Sequence, residues 1–107
     1  MLDVYRHNFA VLTRRGVRIA IGSDQFRSTS VPEAMDIQKA GLLTPAAALR
    51  ALSTDAAATI FPRRAPFGLA EGAPADFVVL DANPLDDFSA IQRVGMRVKS
   101  GVELEQP

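Results

Sequence analysis

The stretch GVRIAIGSDQF, residues 16–26, decides the fold expected for this chain. Three apolar residues alternate along it from Val17 to Ile21, which is the pattern of a buried β-strand. Gly22 then gives the chain a flexible exit, and Asp24 follows just past the carboxyl end of the strand. Because α/β folds keep their chemistry at that end of their strands, Asp24 is the first candidate functional residue.

The composition limits the classes of partner. The chain has 107 residues, enough for one domain or less, and its 12 basic and 12 acidic side chains cancel. A chain without net charge offers no bulk attraction to nucleic acid or to an anionic membrane. It contains no cysteine, which excludes disulfides and thiolate metal sites and fits a cytoplasmic protein. The longest aliphatic or aromatic run, residues 77–80, is too short to cross a bilayer.

The first segment, about Val4 to Arg15, predicts a short amphipathic helix. Tyr5, Phe9 and Leu12 are spaced four and three residues apart and therefore share one face. Gly16 is expected to end the helix, and the predicted strand begins at the next residue. Helix, tight turn and strand together make half of an alternating α/β unit.

Two more helix starts follow the candidate site. Ser30 and Glu33 have the S-x-x-E spacing of a capping box, which predicts a helix ending near Ala40. Thr44, followed by proline, repeats the start signal for an alanine-rich helix over about residues 45–61. We expect the alanine-rich side of this helix to form core.

The chain changes character after Pro62. Glycine and proline there separate three predicted strands, at residues 76–81, 94–99 and 102–104. Ser100 and Gly101 predict a two-residue hairpin turn. The first of these strands is expected to be buried. A domain boundary is therefore predicted between residues 62 and 63.

Four aspartates in the second half are candidates for special roles. Asp76 and Asp81 flank a predicted strand, and two such carboxylates could perform acid–base chemistry. Turn capping and strand-end solubility are the simpler roles for them. The pair Asp86 and Asp87 is expected to cap a short helical turn that extends toward Ile91.

Three pieces of the chain, in this order, resemble the carboxyl-terminal portion of the amidohydrolase superfamily of metal-dependent hydrolases. They are GVRIAIGSD (16–24), EAMDIQKAGLLTPAAALRALSTDAAATIF (33–61) and GLAEGAPADFVVLDANPLDDFSAIQRVGMRVKSG (68–101). The resemblance implies an α/β fold. Residues 1–62 would form the last strand and closing helices of a TIM-type (β/α)8 barrel, and residues 63–107 part of a small β-sandwich.

The resemblance also implies a chemistry, the hydrolysis of amide or cyclic amide carbon–nitrogen bonds in small molecules. Asp24 matches the aspartate that binds a divalent metal, with zinc expected, and takes the proton from the attacking water. The residues after it would line the mouth of the pocket and contact the substrate; these are Gln25, Phe26, Arg27 and Ser28.

The other metal ligands of the superfamily do not occur in this sequence. The chain has a single histidine, His7, on the helix before the strand, where a surface role is expected. One carboxylate cannot hold a catalytic zinc ion, which takes three protein ligands. We therefore expect the isolated chain to bind no metal and to be inactive.

A lone strand between helices leaves unpaired backbone groups, so the chain is expected to be the end of a larger protein. Apolar residues Leu49, Leu52 and Ile60 likewise have nothing predicted opposite them. Association with a missing barrel portion, or formation of a homo-oligomer, would cover both features. The alternative to an enzyme fragment is a stand-alone, self-associating structural or interaction module.

Overall fold

The computed structural model describes residues 2–22, 29–63 and 66–105. Four helices precede a region of short strands. The elements are α1 (Leu2–Arg14), α2 (Val31–Lys39), α3 (Pro45–Leu52), α4 (Thr54–Ile60), β1 (Phe77–Leu80), a 3-10 helix (Phe88–Gln92), β2 (Val94–Lys99) and β3 (Val102–Leu104). The chain divides into two compact units, Met1–Ala56 and Ala57–Pro107, and the division falls within α4.

In the first unit, α1 confirms the predicted amino-terminal helix. It closes on Gly16, whose amide donates to the Thr13 carbonyl at 3.1 Å and whose φ of +70° suits glycine. Arg6 links α1 to the end of α2. Its Nε and Nη2 atoms both donate to the carbonyl oxygen of Ala40, each at 3.2 Å. This carbonyl lies just beyond α2, where such oxygens have no partner within the helix.

The two predicted helix caps have different outcomes. Thr44 caps α3 as predicted, with an extended backbone and a hydroxyl that accepts from the Ala47 amide at 3.2 Å. The capping box at Ser30 is wrong. Ser30 has helical backbone angles, φ −77° and ψ −7°, and its side chain makes no capping bond. The Thr29 hydroxyl instead accepts from the Val31 amide at 3.3 Å.

The helix predicted over residues 45–61 is two helices. The break is at Ser53, which has φ −113° and ψ −96°. Its hydroxyl donates to the Leu49 carbonyl at 2.6 Å, a bond by which serine competes with the regular helical ladder. The alanine-rich side of α3 is core as predicted, because Ala48 and Ala51 are buried.

The predicted strand at residues 17–21 is not a strand in this structure. Val17 is 48% exposed, whereas Ile21 is buried. The Ile21 amide donates to the Ala51 carbonyl of α3 at 3.4 Å, so it bonds to a helix rather than to a neighbouring strand. A strand exists only with a hydrogen-bonded partner, and none of the described residues provides one here.

The second unit contains an antiparallel sheet in the order β1-β2-β3. Phe77 pairs with Val98, and Arg97 pairs with Leu104. The predicted hairpin turn between β2 and β3 is confirmed. Ser100 and Gly101 have φ of +51° and +79°, as in the mirror-image turns that match strand twist.

The burial predicted for the first strand is wrong, since Phe77, Val78 and Val79 are all exposed. The core of this unit comes instead from the 3-10 helix, which contributes the buried side chains of Phe88, Ala90 and Ile91. The described part of this unit therefore carries an apolar strand that no core covers.

Candidate functional site

The residues predicted to form the site lie outside the described residues. They are Asp24, Gln25, Phe26, Arg27 and Ser28. The structure describes the chain up to Gly22 on one side and from Thr29 on the other. The metal-binding and substrate-contacting roles of these residues therefore stay predictions.

Both flanks of this segment attach to the first unit. On the entry side, the Ile21 side chain is buried and its amide donates to the Ala51 carbonyl at 3.4 Å. On the exit side, the Thr29 hydroxyl accepts from the Val31 amide at the start of α2. Within α2, Ala34 is completely buried. The described residues on either side of the predicted site are thus held by hydrogen bonding and packing.

A groove of about 400 Å³ lies beside residues 16–19, at the amino-terminal end of the stretch that leads to the predicted site. Its lining includes residues 16–19, Thr13 of α1, and Ala47 and Ala51 of α3. The start of the stretch 16–22 therefore lines the groove, whereas the predicted site follows the end of this stretch in sequence. We do not assign the groove to the predicted chemistry.

The described residues do not form a metal centre by themselves. Over residues 2–22, 29–63 and 66–105, no three His, Cys, Asp or Glu side chains come together in a group that could hold a metal ion. His7 is exposed on α1, as predicted for a surface histidine. A closed or catalytic zinc site takes at least three protein ligands, so this part of the chain does not fit one alone.

Asp76 acts in the structure as a turn cap. Its carboxylate accepts from the Ser100 amide at 2.7 Å, and the neighbouring Gly101 amide donates to the Ala75 carbonyl at 3.1 Å. Both contacts fasten the β2–β3 turn to the residues that precede β1. This outcome supports the structural interpretation of Asp76 rather than the acid–base one.

A charged cluster in the second unit is more extensive than the sequence indicated. Asp87 caps the 3-10 helix as predicted, accepting from the Ser89 amide at 3.1 Å and from its hydroxyl at 2.6 Å. Arg93 completes the cluster, donating to the Ser89 hydroxyl at 3.2 Å and to the Asp87 carboxylate at 3.3 Å.

These contacts hold the pKa of Asp87 below its ordinary value. The Ser89 hydroxyl bond has the largest effect, and the Arg93 bond follows. The D-x-S spacing is the local signal for the cap, but nothing local indicates that Arg93, six residues on, returns to it.

None of the helices in the described part of the chain combines the length and the apolar character needed to span a membrane.

Comparison with known proteins identifies the family. A model described as the amidohydrolase family matches residues 4–103. Ochratoxinase from Aspergillus niger is 35% identical over 83 residues, which cover 74% of this chain and 17% of that protein. The chain thus spans about a sixth of the length of the curated relatives that it matches.

Solved structures show the same relationship. A. niger ochratoxinase superposes with a TM-score of 0.79 at 28% identity, over 99% of this chain and 25% of its own. A putative prolidase from Bifidobacterium longum superposes with a TM-score of 0.79 at 25% identity, over 92% of this chain and 26% of its own. A prolidase complexed with N-methylphosphonate-L-proline superposes with a TM-score of 0.77 at 28% identity, over 95% of this chain and 26% of its own. With nearly its whole length matched by the family model, the chain belongs to the amidohydrolase family.

Proposed function

We propose that this chain supplies the carboxyl-terminal part of a metal-dependent amidohydrolase that hydrolyses amide or cyclic amide bonds of small molecules. The observation that carries the proposal is the family match over residues 4–103. The matched chain spans only about a quarter of the length of the solved relatives. On this proposal, residues 1–62 complete a TIM-type barrel and residues 63–107 belong to the small sandwich beside it.

The solved relatives support the substrate class. One is a prolidase in complex with N-methylphosphonate-L-proline. That ligand's name describes a tetrahedral phosphorus on the proline nitrogen, which resembles the geometry an amide carbon adopts when water adds to it. Transition-state complementarity favours such ligands in a hydrolase pocket. A small molecule with an amide nitrogen is the corresponding proposal for this chain.

Asp24 is the residue that we assign to the chemistry. As a carboxylate at the end of the segment 17–21, it would contribute one ligand to a divalent metal and accept a proton during hydrolysis. Zinc is the metal that we expect, and it would lower the pKa of a bound water molecule toward neutral pH. Gln25, Phe26, Arg27 and Ser28 are proposed to contact the substrate.

The remaining ligands must come from elsewhere, because the described residues hold no group of three potential ligands. The isolated chain is therefore proposed to be inactive. Its proposed partners are a small-molecule substrate and the remainder of the barrel, and its proposed location is the cytoplasm.

One observation also fits a second candidate function, a self-associating module. The first unit exposes several large apolar side chains, namely Val4, Tyr5, Leu12 and Val17. A contiguous exposed apolar patch is typical of a surface that contacts another polypeptide. A homo-oligomer would cover it as well as a barrel would.

A hybrid enzyme tests the proposed function. In it, this chain replaces the matched segment of A. niger ochratoxinase, and hydrolysis of that enzyme's own substrate is measured. We expect turnover in the hybrid and a loss of at least about 100-fold in the Asp24→Asn variant, since a removed general base costs on that order. Asp36→Asn, an exposed aspartate on α2, is the matched control and keeps activity.

The isolated chain, supplied with zinc and tested against N-acyl amino acids and small cyclic amides, should show no turnover. Undiminished activity of the Asp24→Asn hybrid would contradict the role of Asp24. Turnover by the isolated chain would contradict its dependence on a larger barrel.

A further inference from the structure

The groove in the first unit has two arginine side chains in its lining, Arg18 and Arg50. Both residues are exposed, and neither forms a hydrogen bond or an ion pair within the described part of the chain. Arg50 lies in the last turn of α3, where a cation interacts favourably with the helix end. Arg18 lies outside the helices, so this reason does not apply to it. Two guanidinium groups therefore border the groove with donors that the described residues do not use.

Most of the remaining lining is apolar. Five aliphatic side chains contribute to it: Val17, Ile19, Leu43, Ala47 and Ala51. Leu43 and Ala51 belong to the core of the unit, so packing fixes this part of the lining. A ligand that places hydrocarbon against these side chains gains free energy, because apolar surface on both partners leaves water. The groove therefore suits a ligand with an apolar body as well as a charge.

The charges of the lining limit the charge of that ligand. Asp55 is the third charged residue of the groove, and its negative charge offsets one of the two arginines. The lining therefore has a net charge of +1, which one negative charge on a ligand balances. A phosphate monoester would bring close to two negative charges beside Asp55. A carboxylate has one charge, and its two oxygens match the paired donors of a guanidinium group.

We propose that this groove is a binding site for a small monocarboxylate with an apolar body. The guanidinium groups of Arg18 and Arg50 donate to the carboxylate oxygens, and the body lies against the aliphatic lining. The groove volume of about 400 Å³ falls within the range of small-molecule sites, about 300 to 1,000 Å³. This inference goes beyond the proposed function, because it uses none of the residues assigned to hydrolysis.

A titration with matched probes tests the proposal. 3-Phenylpropionate has one carboxylate on an apolar body, 3-phenylpropanamide has the same shape without the charge, and acetate has the charge without the body. Isothermal titration calorimetry measures the binding of each to the 107-residue chain. We expect 3-phenylpropionate to bind at least about tenfold more tightly than either other probe, because charged hydrogen bonds and apolar burial each contribute on that order.

Arginine variants locate the binding. Arg18→Gln and Arg50→Gln should each weaken the binding of 3-phenylpropionate at least about fivefold, since each removes a charged donor. Both residues are exposed, so the circular dichroism of the variants should match that of the natural chain. Arg15→Gln is the matched control, at an exposed arginine outside the groove lining. It should change the affinity less than about twofold at physiological ionic strength, where exposed charges are screened.

Four results in the isolated chain would overturn the proposal. Absence of measurable 3-phenylpropionate binding would show that the groove is not a site for this ligand class. Equal binding of the amide would show that the charge is not recognised, and equal binding of acetate would show that the apolar lining is not used. An effect of Arg15→Gln as large as that of Arg18→Gln would indicate attraction by surface charge in general.

The ochratoxinase hybrid tests whether the groove stays open in a whole barrel. Arg18→Gln should weaken the binding of 3-phenylpropionate by the same factor in the hybrid as in the isolated chain. If the variant has no effect in the hybrid, other polypeptide fills the groove and the proposal fails. Hydrolysis by the hybrid is a separate readout, because Arg18→Gln leaves the residues assigned to the reaction unchanged.

Discussion

The carboxylate of Asp76 accepts a hydrogen bond from the backbone amide of Ser100 at 2.7 Å, across 24 residues of sequence. This contact joins the start of β1 to the turn between β2 and β3. It explains why a carboxylate directly precedes the exposed strand. The same sheet is thereby closed at one end by a side chain as well as by its ladder bonds.

Removal of this cap should destabilise the sheet. We expect Asp76→Ala to lower the free energy of unfolding by about 1 to 2 kcal/mol, since the bond has a charged acceptor. Asp76→Asn retains an acceptor oxygen and should lose less. Urea denaturation measures both, with Asp86→Ala as a control at another exposed carboxylate. Equal stability of Asp76→Ala and the natural chain would contradict the capping role.

The hairpin turn offers a stabilising substitution. Ser100 has a φ of +51°, which is unfavourable for serine and acceptable for asparagine. Asn-Gly is the preferred pair for such turns, so Ser100→Asn should raise the melting temperature. Gly101→Ala, at φ +79°, should lower stability by about 1 kcal/mol. A thermal melt that ranks the two variants in the opposite order would contradict the turn geometry.

Helix capping in the first unit can be tested by two similar variants. Thr44→Ala removes a hydroxyl that bonds the Ala47 amide and should cost about 1 kcal/mol. Ser30→Ala removes a hydroxyl that makes no capping bond and should cost little. Chemical denaturation that finds the two losses equal would be inconsistent with these caps.

The cluster around Asp87 predicts a pH dependence. Its pKa is lower in the folded chain than in the unfolded chain, so the ionised form stabilises the fold at neutral pH. That contribution is complete above the unfolded pKa, about 4, and is lost as the pH falls through the folded value. Asp87→Asn removes it at every pH.

Unfolding of the natural chain and of Asp87→Asn should be compared from pH 7 to pH 3. The difference in stability between them should be largest at neutral pH and shrink in acid. A constant difference across this range would show that Asp87 contributes through packing rather than through its charge.

Local patterns predicted much of this structure. The cap at Thr44, the hairpin at Ser100 and the helical turn after Asp87 each depend on residues that are neighbours in sequence. Their hydrogen bonds close over two or three residues, so the residue type and its spacing favour them, although a pattern of the same kind failed at Ser30. The family was also recognisable from the order of three motifs.

Two of the predictions that failed depend on distant partners. Residues 17–21 have the alternation of a strand, but strand formation requires a neighbour to bond their amides. Residues 77–79 have the hydrophobicity of a buried strand, but burial requires a second layer. The candidate site at Asp24 remains a sequence-based prediction.

The sequence by itself determined the first helix, the cap at Thr44, the turn at Ser100 and the family to which the chain belongs, because these depend on short-range chemistry and on motif order. Only the tertiary structure decided which large apolar side chains stay exposed. Ala48 is buried, whereas Leu12 and Val78 are exposed, although both are far more apolar than alanine. The physical reason is that burial needs surface on two sides, and a side chain cannot supply the opposite side itself.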